Sequence, residues 1–420
     1  MDSSPGIRGS LATLGRAGIA VTAATATANL LAYLPPVLGA RRLAPADLGA
    51  LAAALALVAI ATIPGIGLQT AVAVAVARSG RPVAAARQAW LTAAVCGGAM
   101  LLATPVLAAA LRLPPGVPPL LAAMTVPAVL AGRPLGVLQG SERFGRLALG
   151  TVALALGRYA GVLVGLAAGL GLTATFALGA LVAWAVPPAL AWLLRAGGAS
   201  HPATVAPGAD AVAASPGGEL RGRAVFAAAS ASLAILVASY ADLILARRLL
   251  PPGESGAYAV GAVLTRAAIW GPQVVTIVAL PKLVRGGAAL RVGLALVVAA
   301  GAVLVGGAAL AGDLLVRAVG GGGYAGLGDL APYFVLVGAL YAVTVLLVNA
   351  LIADGARHPA AGVWAVVAAL AAVVAIARPA TVGQLLACAA GAAAASVLTT
   401  GAAVWWRRAR RGSPAFTSAR

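Results

Sequence analysis

Residues Tyr240–Arg266 read YADLILARRLLPPGESGAYAVGAVLTR, two apolar stretches joined by a short basic break that contains prolines. The break repeats an earlier stretch, Ala40–Ala50, which reads ARRLAPADLGA and lies about half a chain length before it. Each copy is followed by a long apolar run. An offset of half the chain indicates a duplicated architecture, and duplicated membrane proteins commonly bind their substrate between the two halves.

The composition is that of a protein that crosses a membrane many times. Of the 420 residues, 62% are hydrophobic and only 9% are charged, and the apolar residues fall into runs of about 20. The predicted fold class is therefore an all-α polytopic membrane protein. A net charge of +19 would suggest nucleic acid as the partner of a soluble protein. Here the arginines gather in short loops between apolar runs, so the predicted partner is the lipid bilayer and not nucleic acid.

The apolar runs predict about 12 transmembrane helices, six in each half, related as a parallel repeat. The halves are predicted as an N-terminal six-helix bundle over 1–195 and a C-terminal six-helix bundle over 224–406. A Gly-, Pro- and Ser-rich cytoplasmic linker over 196–223 separates them, and a basic cytoplasmic tail follows over 407–420. The predicted spans are 17–40, 48–77, 88–110, 118–139, 147–170, 172–194, 224–246, 256–280, 288–311, 330–351, 360–376 and 381–404.

The basic residues predict the orientation of these spans. With the N-terminus inside, 19 of the 29 Lys and Arg residues lie on the inner side, 7 lie on the outer side and the others lie within spans. The protein is expected in the cytoplasmic membrane. Because cytoplasmic loops carry the excess of Lys and Arg, both termini are expected in the cytoplasm.

Charged residues inside the spans are the candidates for function, because each costs about 2.5–3.5 kcal/mol at the bilayer centre. Asp242 is the one acid predicted there, and Arg266 lies in the next span. Two interpretations stay open. The pair forms a structural salt bridge between the seventh and eighth spans, or Arg266 faces a substrate cavity and Asp242 orients it.

The first half contributes Arg133, near the inner interface, and Arg158, near the middle of the fifth span. Glycines spaced by four in that span, from Gly157 to Gly169, are expected to form one face for close helix packing. Arg158 has no acid at its depth in this half, so its partner is Asp242, backbone carbonyls, water or an anionic substrate. Three span arginines against one acid predict a positive cavity suited to phosphate or pyrophosphate.

Other polar residues have two readings each. Asn29 and Gln69 lie within spans and either join helices by hydrogen bonds or contact substrate. The pairs Arg41/Arg42 and Arg247/Arg248 are expected to anchor the outer headgroup region, with contact to substrate as the alternative. Cys96 and Cys388 lie far apart in apolar runs, so no disulfide, metal or cofactor is predicted.

Several of these motifs resemble those of one family. The stretch 40–78, ARRLAPADLGALAAALALVAIATIPGIGLQTAVAVAVAR, is similar to the first-hairpin signature of the oligosaccharide flippase family of the multidrug/oligosaccharidyl-lipid/polysaccharide exporter superfamily. GVLQGSERFGR at 136–146 resembles its fourth-helix ending. Tyr240–Arg266, with Pro281–Leu283 after it, resembles its second-half signature, and the resemblance extends over nearly the whole chain.

The resemblance implies two six-helix bundles around a V-shaped cavity that opens to each side in turn. It implies a transporter that moves polyprenyl-pyrophosphate-linked oligosaccharides across the cytoplasmic membrane for surface polysaccharide biosynthesis, alongside polysaccharide assembly proteins. Arg158 and Arg266 would then contact the pyrophosphate or glycan, and Asp242 would be the matching acid of the seventh helix.

Other functions stay open. A cation-coupled multidrug exporter of the same superfamily is one alternative, although it would be expected to carry an acid in the first-half spans, where none is found. A lipid II flippase is another. An enzyme, either a membrane glycosyltransferase or a glycan polymerase, is disfavoured because the predicted outer loops are short and because His201 and His358 lie in predicted loops without a catalytic arrangement.

Overall fold

The structure is a computed structural model that describes residues 5–79, 84–196, 222–283 and 289–412, without some of their side chains, chiefly those of 5–17, 222–229 and 271–283. All regular structure in these ranges is helical. Alanine and leucine dominate the helices, and a helix satisfies every backbone group within its own segment, as a bilayer requires. The helices are α1 Pro5–Arg42, α2 Pro45–Ala61, α3 Ile63–Ser79, α4 Ala86–Leu102, α5 Thr104–Leu111, α6 Val117–Leu130, α7 Gly132–Gly140, α8 Phe144–Ala167, α9 Leu172–Ala183, α10 Val186–Arg195, α11 Gly222–Leu249, α12 Pro252–Leu283, α13 Ala289–Gly320, a 3₁₀ helix Gly322–Leu330, α14 Ala331–Ala353, α15 Ala361–Ala377 and α16 Val382–Gly412.

These helices form rods that match the apolar runs of the sequence. Within the described part of the chain, nine rods are long and apolar enough to cross a bilayer, and the bent pair of α4 and α5 makes a tenth. The shorter apolar helix α15 has 17 residues, and α12 continues past the described side chains. The protein is an all-helical, multi-pass membrane protein.

Four rods of the first half consist of two helices each, where the sequence predicts one continuous span. The breaks lie at Thr62, Ala103, Ala131 and Trp184–Ala185. Each second helix has a proline in its first turn, where the missing N–H removes no intrahelical bond. The pair α4 and α5 bends by 51°. Proline position therefore explains the broken rods.

The chain divides into two compact units. The first comprises 1–42 and 57–217, and the second comprises 43–56 and 218–420. The start of α2 thus belongs with the second half of the chain, which the sequence did not predict. Most of the predicted linker, 197–221, and the end of the predicted tail, 413–420, lie outside the described residues. The domain bounds drawn from the sequence stay a prediction.

The two copies of the repeated motif meet within the second unit. Arg247 Nη1 donates a hydrogen bond to the Ala46 carbonyl at 2.8 Å, so Arg247 binds the backbone of the first copy. A Cβ on Gly256 would lie 2.8 Å from Cα of Pro45, which shows that glycine permits this approach. Arg247 is only 7% exposed. The prediction that both members of its pair anchor lipid headgroups is therefore wrong for Arg247, whereas Arg248 is exposed.

The glycine face predicted for the fifth span is present on α8 and packs against α9 and α10. A Cβ on Gly161 would overlap the Leu178 carbonyl oxygen, and one on Gly165 would lie 2.8 Å from Cα of Thr175. Gly169 lies beyond the helix with φ +69°, a left-handed conformation that favours glycine. Arg158 follows Gly157 and therefore lies about 100° round the helix from this face.

Candidate functional site

The six residues predicted to bind substrate lie in both units. Asn29, Gln69, Arg133 and Arg158 belong to the first unit, on α1, α3, α7 and α8. Asp242 and Arg266 belong to the second, on α11 and α12. Asp242 and Arg266 make more contacts with neighbouring side chains than the four residues of the first unit.

Asp242 is a buried carboxylate, 3% exposed, whose oxygens accept hydrogen bonds from protein donors. The Tyr258 hydroxyl donates to Oδ2 at 2.8 Å, and the Leu243 N–H donates to Oδ1 at 2.8 Å. Tyr258 is itself fully buried and contacts Phe334 edge to face, with ring centroids 5.2 Å apart. Donors from the same unit therefore compensate the burial of this carboxylate.

Arg266 lies over the face of the Tyr240 ring, with its guanidinium carbon 4.1 Å from the ring centroid. Its Nη1 donates to the Ala262 carbonyl at 3.1 Å. Its Nε and Nη2 are buried and have no hydrogen-bond partner among the described residues. A guanidinium held by one ring and one carbonyl retains donors for a further acceptor.

Arg266 and Asp242, both fully described, do not form the salt bridge that one interpretation of the sequence requires. The carboxylate instead takes its hydrogen bonds from Tyr258 and Leu243. The two charges still interact through space. The second interpretation has Arg266 face a substrate cavity while Asp242 orients it. The arrangement agrees with it in one respect, because the Arg266 guanidinium keeps donors for a substrate while Asp242 lies nearby.

Close packing of α12 against α14 supports this group. Gly261 and Gly338 lie where a side chain would strike the partner helix, Phe334 in the first case and the Thr265 carbonyl in the second. The Thr265 hydroxyl donates to the Phe334 carbonyl at 2.9 Å. Tyr341 of α14 is also buried and lies near Asp242. Three helices, α11, α12 and α14, therefore position the cluster.

In the first unit, Gln69 and Arg133 lie on the packed pair α3 and α7. Gln69 Nε2 donates to Gln139 Oε1 at 2.9 Å, which joins the two helices. Gly136 of α7 lies against Val72, where a Cβ would approach the valine Cβ to 2.8 Å. Arg133 is partly buried, and its Nε has no hydrogen-bond partner within the described part of the chain. In this structure the Gln69 side chain thus joins the two helices.

Asn29 and Arg158 lie on another packed pair, α1 and α8. Arg158 contacts the ring of its neighbour Tyr159, with the guanidinium carbon 5.5 Å from the centroid. Its Nε is buried and finds no hydrogen-bond acceptor in the ranges that the structure describes. No hydrogen bond or ion pair between described side chains links Asn29, Gln69, Arg133 and Arg158 to one another.

Sequence reasoning missed the tyrosines. The chain has only 7 tyrosines, and three of them, Tyr240, Tyr258 and Tyr341, surround Asp242 and Arg266. Two of the three even lie in the stretch Tyr240–Arg266. Their rarity in an alanine-rich chain was the signal that could have found them.

Comparisons with known proteins give little. No family model matches the chain, and no curated protein matches it. Among solved structures, the chain is similar to the crystal structure of a proline-to-alanine mutant of a MATE protein, at 14% identity and a TM-score of 0.49, with 94% of each chain covered. Among the described residues, no group of three or more His, Cys, Asp or Glu side chains could hold a metal ion.

Proposed function

We propose that the protein is a transporter, not an enzyme, and that it moves a polyprenyl-pyrophosphate-linked oligosaccharide across the cytoplasmic membrane by alternating access. The substrate would serve surface polysaccharide biosynthesis. Both termini would lie in the cytoplasm, as the 19 inner basic residues suggest. The sequence resemblance to oligosaccharide flippases supports the same assignment.

The observation that carries the proposal is the state of the Arg266 guanidinium. Arg266 is partly buried in an apolar unit, yet its buried Nε and Nη2 lack hydrogen-bond partners among the described residues, and the nearby acid is hydrogen-bonded to Tyr258. A buried charge without its hydrogen bonds is costly, so an anion that supplies the acceptors would be bound strongly. Arginine suits phosphate oxygens because its donors form a planar fork.

Arg158 and Arg133 extend this argument to the first unit. Each has a buried Nε without a described hydrogen-bond partner. A pyrophosphate with a long polar glycan offers many acceptors for arginines spread over several helices. We therefore place Arg266 and Arg158 as contacts of the pyrophosphate or glycan, with Asp242 as a positioning residue. Asn29, Gln69 and Arg133 are proposed as further lining residues.

One observation favours a second candidate, a cation-coupled multidrug exporter. Asp242 is a buried carboxylate surrounded by tyrosines, and such a site could bind a proton or a cationic group. In that case transport would depend chiefly on the acid and would tolerate the loss of the arginines. The two candidates thus differ in which charge is essential.

The test is flipping of a pyrophosphate-linked oligosaccharide by purified protein in liposomes. Arg266→Ala and Arg158→Ala should each lower the flipping rate by about a hundredfold, the equivalent of one or two charge-assisted hydrogen bonds. Arg248→Ala is the matched control, because it removes an exposed arginine from the end of α11. Wild-type flipping rates in both span variants would contradict the proposal, and efflux of a cationic drug that needs only Asp242 would favour the exporter.

A further inference from the structure

A second basic site lies in the second unit, away from Asp242 and Arg266. A cavity of about 300 Å³ lies where the loop between α14 and α15 meets the end of α16. Three basic side chains, Arg357, His358 and Arg407, line it together with the hydroxyl residues Thr399 and Thr400. No residue of this cavity belongs to the site already described.

The charge at the cavity is positive and only partly balanced. Arg407 Nη2 donates to the Asp354 carbonyl at 3.1 Å, which fixes the guanidinium, while its Nε is buried without a hydrogen-bond partner in the described part of the chain. The nearest acid, Asp354, does not line the cavity, and its carboxylate lies 3.8 Å from Nε of Arg408. The cavity therefore presents donors for an anion and no competing carboxylate of its own.

The other walls are apolar. Leu351, Ala361 and Ala403 line the cavity with Trp406, and the adjacent Leu398 of α16 is 71% exposed. A free inorganic anion would leave these walls uncovered. A volume of about 300 Å³ is at the small end of ligand pockets, enough for a headgroup and too small for an oligosaccharide.

The position of the cavity relative to the membrane also favours a lipid as its ligand. Trp405 and Trp406 are 73% and 53% exposed just before Arg407, and exposed tryptophans beside arginines mark a membrane–water interface. By the distribution of basic residues this is the cytoplasmic interface, where anionic phospholipids attract basic residues and where basic pockets between helices bind phosphate headgroups.

We propose that this cavity binds the phosphate headgroup of an anionic phospholipid from the surrounding bilayer, with Arg357 and Arg407 contacting the phosphate. An acyl chain follows the exposed apolar surface of α16. The site is a lipid site of the second unit and does not depend on what the protein transports.

The test uses the full chain purified in detergent, with bound lipid measured by native mass spectrometry. Phosphatidylglycerol is the probe, and phosphatidylcholine and inorganic phosphate are the comparison ligands. The double variant Arg357→Gln/Arg407→Gln should retain about tenfold less phosphatidylglycerol than wild type. The double variant Arg291→Gln/Arg378→Gln, which removes the same charge at exposed positions outside the cavity, should retain it as wild type does.

Equal losses in the two double variants would overturn the proposal, because they would show general surface attraction. Equal retention of phosphatidylcholine would also overturn it, as would thermal stabilisation by inorganic phosphate equal to that by phosphatidylglycerol. If the first double variant does not fold, Ala361→Phe fills the cavity with both arginines in place. That variant should lose phosphatidylglycerol, and full retention would count against the site.

Discussion

The two units hold charge within apolar helices in different ways. In the first unit, Arg133 and Arg158 lie on different helix pairs, and the described contact of Arg158 is with its own neighbour Tyr159. In the second unit, Arg266 and Asp242 share one group of tyrosines from three helices. The first unit tolerates single arginines, whereas the second builds a network around a pair of opposite charges.

The two units also differ in where their helices pack closely. In the first unit, glycines let α8 approach α9 and let α7 approach α3, which brings helix backbones together without a polar network around Arg158 or Arg133. In the second, the glycines of α12 and α14 lie beside Phe334 and Thr265, within the network that holds Tyr258. Close packing in the second unit therefore positions polar groups, and disturbing it should affect function as well as stability.

The largest effect is expected from Gly161→Val in the first unit. The added side chain would overlap the Leu178 carbonyl, a backbone group that cannot move without shifting α9. We expect a loss of about 3 kcal/mol in the free energy of unfolding, seen as a lower melting temperature in detergent. Gly145→Val is the control on the same helix, since a Cβ at Gly145 would have no neighbouring atom within 4 Å. Equal melting of the two variants would contradict glycine-mediated packing.

Asp242→Ala should come next, by breaking the network of the second unit. It leaves the buried Tyr258 hydroxyl without its acceptor, at a cost of about 2 kcal/mol. Asp242→Asn removes the charge but keeps an oxygen for Tyr258, so its melting temperature should lie closer to wild type. If the two variants melt together, charge and not the hydrogen bond stabilises this unit.

The overall fold could be predicted from the sequence, because apolar runs of about 20 residues permit little else in a bilayer. The breaks within rods could not, since prolines lie both at the start of a second helix, as Pro64 does, and inside an unbroken helix, as Pro127 does. Nor could the repeat show that Pro45 and Gly256, one from each copy, touch within a single unit.

Part of the candidate site could be predicted from the sequence for a physical reason. Charged residues are costly in apolar spans, so Asp242 and Arg266 stood out at once. Tyrosine carries no such penalty and is common at membrane interfaces, so only the rarity of tyrosine in this chain pointed to Tyr240 and Tyr258. A salt bridge was the simplest arrangement for two opposite charges, yet the Asp242 carboxylate accepts its hydrogen bond from the Tyr258 hydroxyl. Side-chain partners of this kind depend on helix rotation, which the sequence does not specify.

Tyr240→Leu sharpens the contrast between the two arginines. The ring centroid lies 4.1 Å from the Arg266 guanidinium carbon, against 5.5 Å for Tyr159 and Arg158. Loss of the closer cation–π contact costs about 1 kcal/mol, so flipping should fall about fivefold. Tyr159→Leu should flip lipid at nearly the wild-type rate in the same liposomes. A larger loss of flipping from Tyr159→Leu would show that the cation–π contact of Arg158, in the first unit, matters more for transport than that of Arg266.

The smallest effect is expected where the first unit joins helices by a neutral hydrogen bond. Gln69 and Gln139 bond at 2.9 Å between α3 and α7, and such bonds within membranes average about 0.6 kcal/mol. Gln69→Leu and Gln139→Leu, alone and together, form a double-mutant cycle in which the coupling energy isolates this bond. If Gln69 only joins helices, the coupling should be near that value and flipping should not change. A flipping defect in Gln69→Leu that Gln139→Leu does not share would instead assign Gln69 to the substrate path, and the first unit would then have a polar site of its own.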